Sequence, residues 1–449
     1  MKHVIIILLL SLILVGLDYP PTAAPVTSQN IVLILADDLG YGDIGAYGAE
    51  LIKTPHLDRL AGEGVRLTNF YASGNVCTPS RAGLLTGRYA IRDGLADKTI
   101  TVKDTRGLPA ETTTIAGLLQ QHGYRTALIG KWHLGHHTQA QQPNAQGFDS
   151  FYGLLHPNDT EQPIYRNKQA TDEPLDQSVL TRRFTEEAVR FIENNARQSF
   201  FLFLSHSAPH IPLVPSPDFA GTSQAGAYGD VVQELDWSVG QVLDAVQRNE
   251  LTDNTVIVFT SDNGPFPEGS TGGLRGGKGT AWDGGYRVPF IARWPGQIRA
   301  GSMADAMAMN IDLLPTIAEI AGASLPRSVE LDGRNILPVL LGNTNDSPHE
   351  ALFFFNNERI AALRTRRWRM VLSDYPPWRD AKPVLFEATR TREVLLFDML
   401  SDPGEQYDMS RDYRDSRQQL LTHLERGRDT LETLSTHTDS EMYEGLDKN

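Results

Sequence analysis

The sequence predicts an α/β fold: a mostly parallel central sheet flanked by helices, then a small C-terminal α+β unit with an antiparallel sheet. Three observations carry this expectation. Continuous apolar runs, the form taken by strands buried on both faces, recur through the first part of the chain. Stretches with helical periodicity alternate with them. After a polar, turn-rich segment at Gly342–Pro348, the apolar runs become short and closely spaced.

The first run, Asn30–Ala36, ends in Asp37-Asp38-Leu39-Gly40 and reads as a central strand. Further strands are expected at Thr126–Ile129, Phe200–Ser205, Thr255–Ser261 and Val288–Trp294. Helices are expected over Thr114–His122, Val179–Asn195, Tyr228–Arg248 and Ile311–Ala321. Beyond the linker come strands at Ala351–Phe355, Ile360–Arg364, Trp368–Ser373 and Glu393–Phe397, and a charged helix at Ser416–Leu434. The expected division is a signal peptide over 1–24, an α/β catalytic unit over 25–345 and a C-terminal subdomain over 346–449.

With 449 residues and 40% hydrophobic content, the chain has ample material for a full core. Its formal net charge of −14 argues against nucleic-acid binding, which relies on Lys and Arg against phosphate. An anionic substrate would need a positive field made locally. The N-terminus has a basic start, an apolar run over Val4–Leu17 and a small-residue exit, the pattern of a secretory signal peptide. An uncleaved N-terminal anchor is the other reading of that run. It is short for a membrane span, which needs about 20 apolar residues, and no stable span is expected in the mature form. The expected location is periplasmic or secreted. Export usually brings paired cysteines, yet this chain has 1 Cys.

That residue, Cys77, stands in Cys77-Thr78-Pro79-Ser80-Arg81-Ala82-Gly83-Leu84-Leu85-Thr86-Gly87-Arg88. A lone cysteine makes no internal disulfide. Pro79 opens a helix readily, because its missing N–H is not needed there. Free N–H groups at a helix start suit an anion. Asp37 and Asp38 end one buried strand, and Ser261-Asp262-Asn263-Gly264 ends another. Ligands gather beyond the carboxyl ends of strands in open α/β sheets. Three carboxylates and an amide carbonyl form a hard, all-oxygen set that suits Ca²⁺ or Mg²⁺ rather than zinc. Taken singly, each Asp also reads as a turn former or helix cap.

Three further segments carry candidate chemistry. Gly130-Lys131-Trp132-His133-Leu134-Gly135 follows a strand, with Lys131 and His133 expected on one side. Ser207-Ala208-Pro209-His210-Ile211-Pro212 sets His210 between prolines, which favours an extended loop. His206 is a nearby alternative ranked below His210. Gly276-Gly277-Lys278-Gly279-Thr280 has the composition of a phosphate loop but lacks the Walker spacing, so nucleotide binding is a poor reading. Arg88 reads as a structural salt-bridge partner.

The Cys77–Arg88 stretch resembles the signature of the type I sulfatases, the arylsulfatase family. The Gly130–Gly135 motif, the Lys278 segment and Asp402-Pro403-Gly404-Glu405-Gln406 are also similar to that family. The resemblance implies an alkaline-phosphatase-like sandwich. It implies that a maturation enzyme oxidises Cys77 to formylglycine (3-oxoalanine), whose hydrate attacks sulfur. It further implies that Asp37, Asp38, Asp262 and Asn263 hold one divalent cation, commonly calcium, that also touches the residue at position 77. Arg81 and Lys131 then neutralise charge, and Lys278 grips the sulfate. Asp262 accepts the first proton, His133 contacts the formylglycine hydroxyl and acts as the later base, and His210 protonates the leaving group.

The implied substrate is an aryl or carbohydrate sulfate ester. Loops Gly153–Asp176 and Pro265–Gly273 are expected to shape its pocket, with Asn158, Asp159 and Arg166 as candidate sugar contacts. Two other readings stand beside this one. One is a phosphonate or phosphate monoester hydrolase on the same site. The other is a glycan-binding protein without catalysis.

Overall fold

The computed structural model describes residues 29–326, 328–372 and 394–434. The expected signal peptide lies outside these residues, as do Ser373 and Glu393 at the ends of two expected strands.

Ten strands make the central sheet: β1 Asn30–Ala36, β2 Val65–Leu67, β4 Arg125–Lys131, β5 Ser150–Leu154, β6 Tyr165–Arg166, β7 Gln169–Ala170, β8 Phe200–Ser205, β9 Thr255–Ser261, β10 Phe290–Arg293 and β11 Ser302–Ala304. The short pair β3 Phe70–Tyr71 and β12 Ala308–Met309 lies apart. The order is β11-β2-β10-β9-β1-β8-β4-β5-β6-β7. Its middle, β9-β1-β8-β4-β5, is parallel throughout. β10 and the β6–β7 hairpin are antiparallel margins.

The apolar runs are continuous because both faces of the sheet are covered. Along β1, Ile31, Leu33 and Leu35 join one core, whereas Val32, Ile34 and Ala36 join the other. The first core takes in the helices Cys77–Thr86, Ile115–Gln121 and Leu313–Ala321; the second packs Gln177–Asn194 and Gly226–Arg248. Each Leu or Ile so buried stabilises the fold by about 1.5–3 kcal/mol. Four C-terminal strands, β13 Leu352–Asn356, β14 Arg359–Arg364, β15 Trp368–Leu372 and β16 Val394–Asp398, form an antiparallel sheet in that order. The helix Arg414–Leu431 lies on it through Leu420 and Leu424, and the sheet itself joins the first core.

The departures have local causes. The strand expected over Val288–Trp294 is confined to β10, because Pro289 cannot donate to a ladder. β4 runs on through Gly130 to Lys131. Gly130 has φ 112°, and a Cβ there would meet the Ser205 carbonyl oxygen at 1.8 Å, so only glycine fits. The helix expected from Ile311 begins as a 3₁₀ turn, Asn310–Asp312, and becomes α at Leu313. β5 and the β6–β7 hairpin are additions to the expected strands, and they make parts of the Gly153–Asp176 segment sheet rather than loop.

Candidate active site

Four parallel strands bring the predicted residues to one sheet end. β1 delivers Asp37 and Asp38, β4 delivers Lys131 and His133, β8 leads to His210, and β9 delivers Asp262 and Asn263. The ladder continues one step past the strands, with Asp262 N–H donating to the Ala36 carbonyl (3.1 Å) and Asp37 N–H to that of Ala208 (3.0 Å). Those bonds fix where the carboxylates emerge.

Cys77 is the first residue of its helix and Pro79 the third, so the helix starts earlier than Pro79 alone suggests. The Cys77 thiol is 1% exposed, 3.5 Å from Asp37 Oδ1 and 3.4 Å from Lys131 Nζ. Burial pushes this thiol up from its ordinary range, against the pull of Lys131 and Lys278. As a free thiol it is therefore a poor nucleophile at neutral pH.

Arg81, one turn on, is buried. Its Nε donates to Asp262 Oδ2 (2.9 Å) and its Nη1 to Ser205 Oγ (2.6 Å) and the Lys131 carbonyl (3.1 Å). Its Nη2 lies 2.9 Å from Asp262 Oδ2 and 3.4 Å from Asp37 Oδ2. Lys131 Nζ donates to Asp37 Oδ2 (2.5 Å), and Lys278 Nζ to Asp38 Oδ2 (2.6 Å). Burial alone would raise Asp37; the Lys131 ammonium and the Arg81 guanidinium overcome it and hold that carboxyl well below the usual range. Burial and the neighbouring Asp37 charge push Asp262 up to about 6, against Arg81.

Ligand atoms of Asp37, Asp38, Cys77 and Asp262 all lie within 4.8 Å of one another. Asn263 donates through Nδ2 to Asp38 Oδ1 (2.8 Å), leaving its buried Oδ1 without a partner. A buried, unpartnered amide oxygen beside three carboxylates fits a hard cation that takes oxygen ligands.

His133 adopts φ 60° at the turn after β4. Its Nε2 lies 2.8 Å from the Ile100 carbonyl, so that nitrogen carries the proton and the buried, unpartnered Nδ1 is an acceptor. Burial, helped by Lys131, holds the ring well below its ordinary pKa and hence neutral. His210 Nε2 lies 3.8 Å from Asp38 Oδ2, while its Nδ1 donates to the Ile211 carbonyl (2.7 Å). The extended loop expected around His210 is instead a turn: His210 N–H closes onto the Ser207 carbonyl (3.1 Å), and both neighbouring X–Pro bonds are cis.

Other expectations sort cleanly. Arg88 pairs with Asp93 and stands outside the site. Arg166 does not reach it: it pairs with Glu187 on the sheet edge and lies over the Tyr152 ring. Asn158, with Gln177 and Ser207, lines the small cavity that also touches His210.

His206 turns into the helical layer, where Nε2 meets Ser238 Oγ at 3.0 Å. Burial lowers its pKa from 6.5 to about 3. The unfolded chain protonates first on acidification, so this contribution to stability is whole above pH 6.5 and declines toward pH 3. From pH 7 to pH 5, His206→Gln should lose about 2 kcal/mol less stability than wild type in urea melts, at about 1.4 kcal/mol per unit.

Sequence reading missed three bracing groups. Ser205 Oγ seats Arg81 and donates to the Lys131 carbonyl (2.7 Å). Thr78 Oγ1 donates to the His133 carbonyl and accepts from Ile100 N–H, both at 3.0 Å. Asn310 accepts from Ser73 N–H (3.0 Å) and donates to Ser80 Oγ (2.9 Å), holding the Cys77 helix at its root. Only Ser205 left a signal, as a polar residue closing an otherwise apolar strand.

Comparison with known proteins agrees with this geometry. The family model described as Sulfatase matches residues 29–323, and a second, described as N-sulphoglucosamine sulphohydrolase, C-terminal, matches 277–430. Human steryl-sulfatase is 37% identical over 75% of this chain and 73% of its own length. Human N-acetylgalactosamine-6-sulfatase is 35% identical over 85% of this chain and 81% of its own. A crystal structure of a sulfatase from Pseudoalteromonas sp. superposes with a TM-score of 0.82 at 29% identity, covering 92% of each chain. With the family model spanning more than half of the chain, and relatives of this identity aligned over most of it, the protein belongs to the sulfatase family, enzymes that hydrolyse sulfate esters.

Proposed function

We propose that this chain is an exported sulfatase acting on sulfated saccharides, with Cys77 matured to formylglycine and one divalent cation, calcium by preference, held by Asp37, Asp38, Asp262 and Asn263. The observation that carries the reading is Cys77 at a helix start, enclosed by three carboxylates and three cationic side chains. When present, the hydrated aldehyde supplies an oxygen nucleophile at position 77, and the cation polarises sulfate oxygens.

The chain's own groups divide the remaining work. Asp262, bonded to Arg81 and within reach of the group at position 77, takes the proton released there. Arg81 and Lys131 offset the charge left there, and Lys278 faces the sulfate from the opposite side. His210, with Lys278, returns a proton to the departing alcohol. His133, neutral and with Nδ1 free, is the base for release of sulfate. Asn158 Oδ1 and Ser207 Oγ, buried and unpartnered beside His210, suit a substrate rich in hydroxyl groups. The sugar-acting relative supports the same choice.

Co-expression with a formylglycine-forming maturation enzyme, followed by a screen of sulfated saccharides and aryl sulfates, tests the reading. Sulfate release with kcat/KM well above that on matched phosphonates is expected; the reverse ratio would favour the phosphonate hydrolase. Intact mass should fall by about 18 Da on maturation, the loss of H₂S and gain of oxygen. Unmodified Cys77 in matured material would favour glycan binding alone. Chelation should lower both activity and Tm, and Ca²⁺ should restore them, because three buried carboxylates and the Asn263 oxygen then lose a shared ligand that binds only the folded site. No change in Tm on chelation, with full activity, would exclude the cation.

A further inference from the structure

The Asp402–Gln406 motif has no part in the site as described, yet Glu405 is fully buried. It follows β16, at φ 54°, and its carboxylate turns inward to the loop that carries Lys278. Glu405 Oε2 accepts the Asp283 N–H (2.8 Å), and Oε1 accepts from Arg369 Nε (2.7 Å). Arg369, on β15 and also fully buried, donates through Nη2 to the Ala281 carbonyl (2.6 Å). Its Nη1 lies 3.6 Å from Asp283 Oδ1. From the exposed side, Arg275 donates to the Glu405 carbonyl (3.0 Å) and stacks 3.6 Å above the Trp282 ring. On the other flank, the Asn75 carbonyl accepts Gly279 N–H (2.8 Å), and Asn75 Nδ2 donates to the Thr280 carbonyl (3.1 Å).

The Ala281–Asp283 end of this loop is thus gripped by the side chains of Glu405 and Arg369, its Arg275 end is strapped to the Glu405 carbonyl, and its middle is held by the residue two before Cys77. Its glycines at 276 and 279 take positive φ and give it no stiffness of their own. The side chain it must aim, Lys278, lies against Asp38 in the site.

We infer that Glu405 and Arg369, from the C-terminal sheet, are positioning residues for Lys278, setting its ammonium where the leaving oxygen departs. The inference rests on the sulfatase reading above. A buried carboxylate–guanidinium pair with both partners also bonded to the loop backbone fixes the loop far better than the loop's own turns do. Neither residue touches substrate; each acts through Lys278.

The test separates positioning from plain loss of fold. Matured wild type, Glu405→Gln and Lys278→Ala are compared on aryl sulfates from 4-nitrophenyl to phenyl. A poor leaving group depends on assistance at its oxygen, and a good one does not. Glu405→Gln should lose roughly ten-fold or less on 4-nitrophenyl sulfate but roughly a hundred-fold or more on phenyl sulfate, in parallel with Lys278→Ala. An equal loss across the series, as a smaller folded fraction would give, overturns the inference. Should Glu405→Gln not fold, Arg369→Lys, which keeps the buried charge but removes the guanidinium bond to the Ala281 carbonyl, carries the same comparison. A larger loss on phenyl sulfate then supports the inference, and equal ratios overturn it. Wild type that turns over no sulfate ester overturns the underlying reading, and the inference falls with it.

Discussion

Cys77→Ala should abolish sulfate release, by about 10⁴-fold or more, when assayed beside matured wild type. Nothing nearby can replace it. The groups that bond its sulfur are a carboxylate held ionised between cations, Asp37, and a lysine bound to that carboxylate, Lys131. The loss should be chemical rather than structural. Cys77 opens its helix, and its sulfur contacts charged groups instead of core side chains. Removing it should therefore change stability by about 1 kcal/mol or less. Equal activity of the alanine variant would end the account of position 77.

Arg81→Ala should be the most damaging single change to the fold around the site. Arg81 stands between Asp37 and Asp262 and satisfies the Lys131 carbonyl and Ser205 at the same time. Without it, two buried carboxylates face each other with one guanidinium fewer between them. Breaking such a pair costs about 3–5 kcal/mol, because it leaves an uncompensated buried charge. A divalent cation held as proposed would neutralise the same carboxylates, so added Ca²⁺ should recover more Tm in Arg81→Ala than in wild type. Melts with and without Ca²⁺ check this; identical Ca²⁺ shifts in the two proteins would sever the link between Arg81 and the cation site. Activity should fall with stability yet stay low after Ca²⁺ rescue if, as proposed, the guanidinium also offsets charge at position 77.

Much of the architecture could be read directly. Asn30–Ala36, Phe200–Ser205 and Thr255–Ser261 emerge with the expected bounds, because a strand covered on both faces is apolar along nearly its whole length, with polar residues at or near its ends. The edge hairpin carries no such run because it is exposed or half-exposed, and β5, though largely buried, spans only five residues and includes Gly153. The turn around His210 is not legible in the sequence, since flanking prolines limit φ but do not specify the bond from His210 N–H to the Ser207 carbonyl. The pairing of Arg166 with Glu187 is not legible in the sequence, because a single polar residue in a loop carries no direction and its partner lies on a different element.

Residue types and local spacing determined by themselves which chemistry this chain carries: a lone cysteine at a helix start, acidic strand ends, and basic residues set in glycine-rich turns. Only the tertiary structure decided which charge faces which. Lys131 meets Asp37, Lys278 meets Asp38, and Arg81 spans Asp37 and Asp262, pairings that join segments far apart in the chain. It also decided that Glu405, far downstream, reaches back to the loop of Lys278. Local sequence encodes backbone preference and side-chain type, which act over a few residues. Electrostatic pairing in a buried site depends on distances of about 3 Å that are fixed only once the sheet brings its strand ends together.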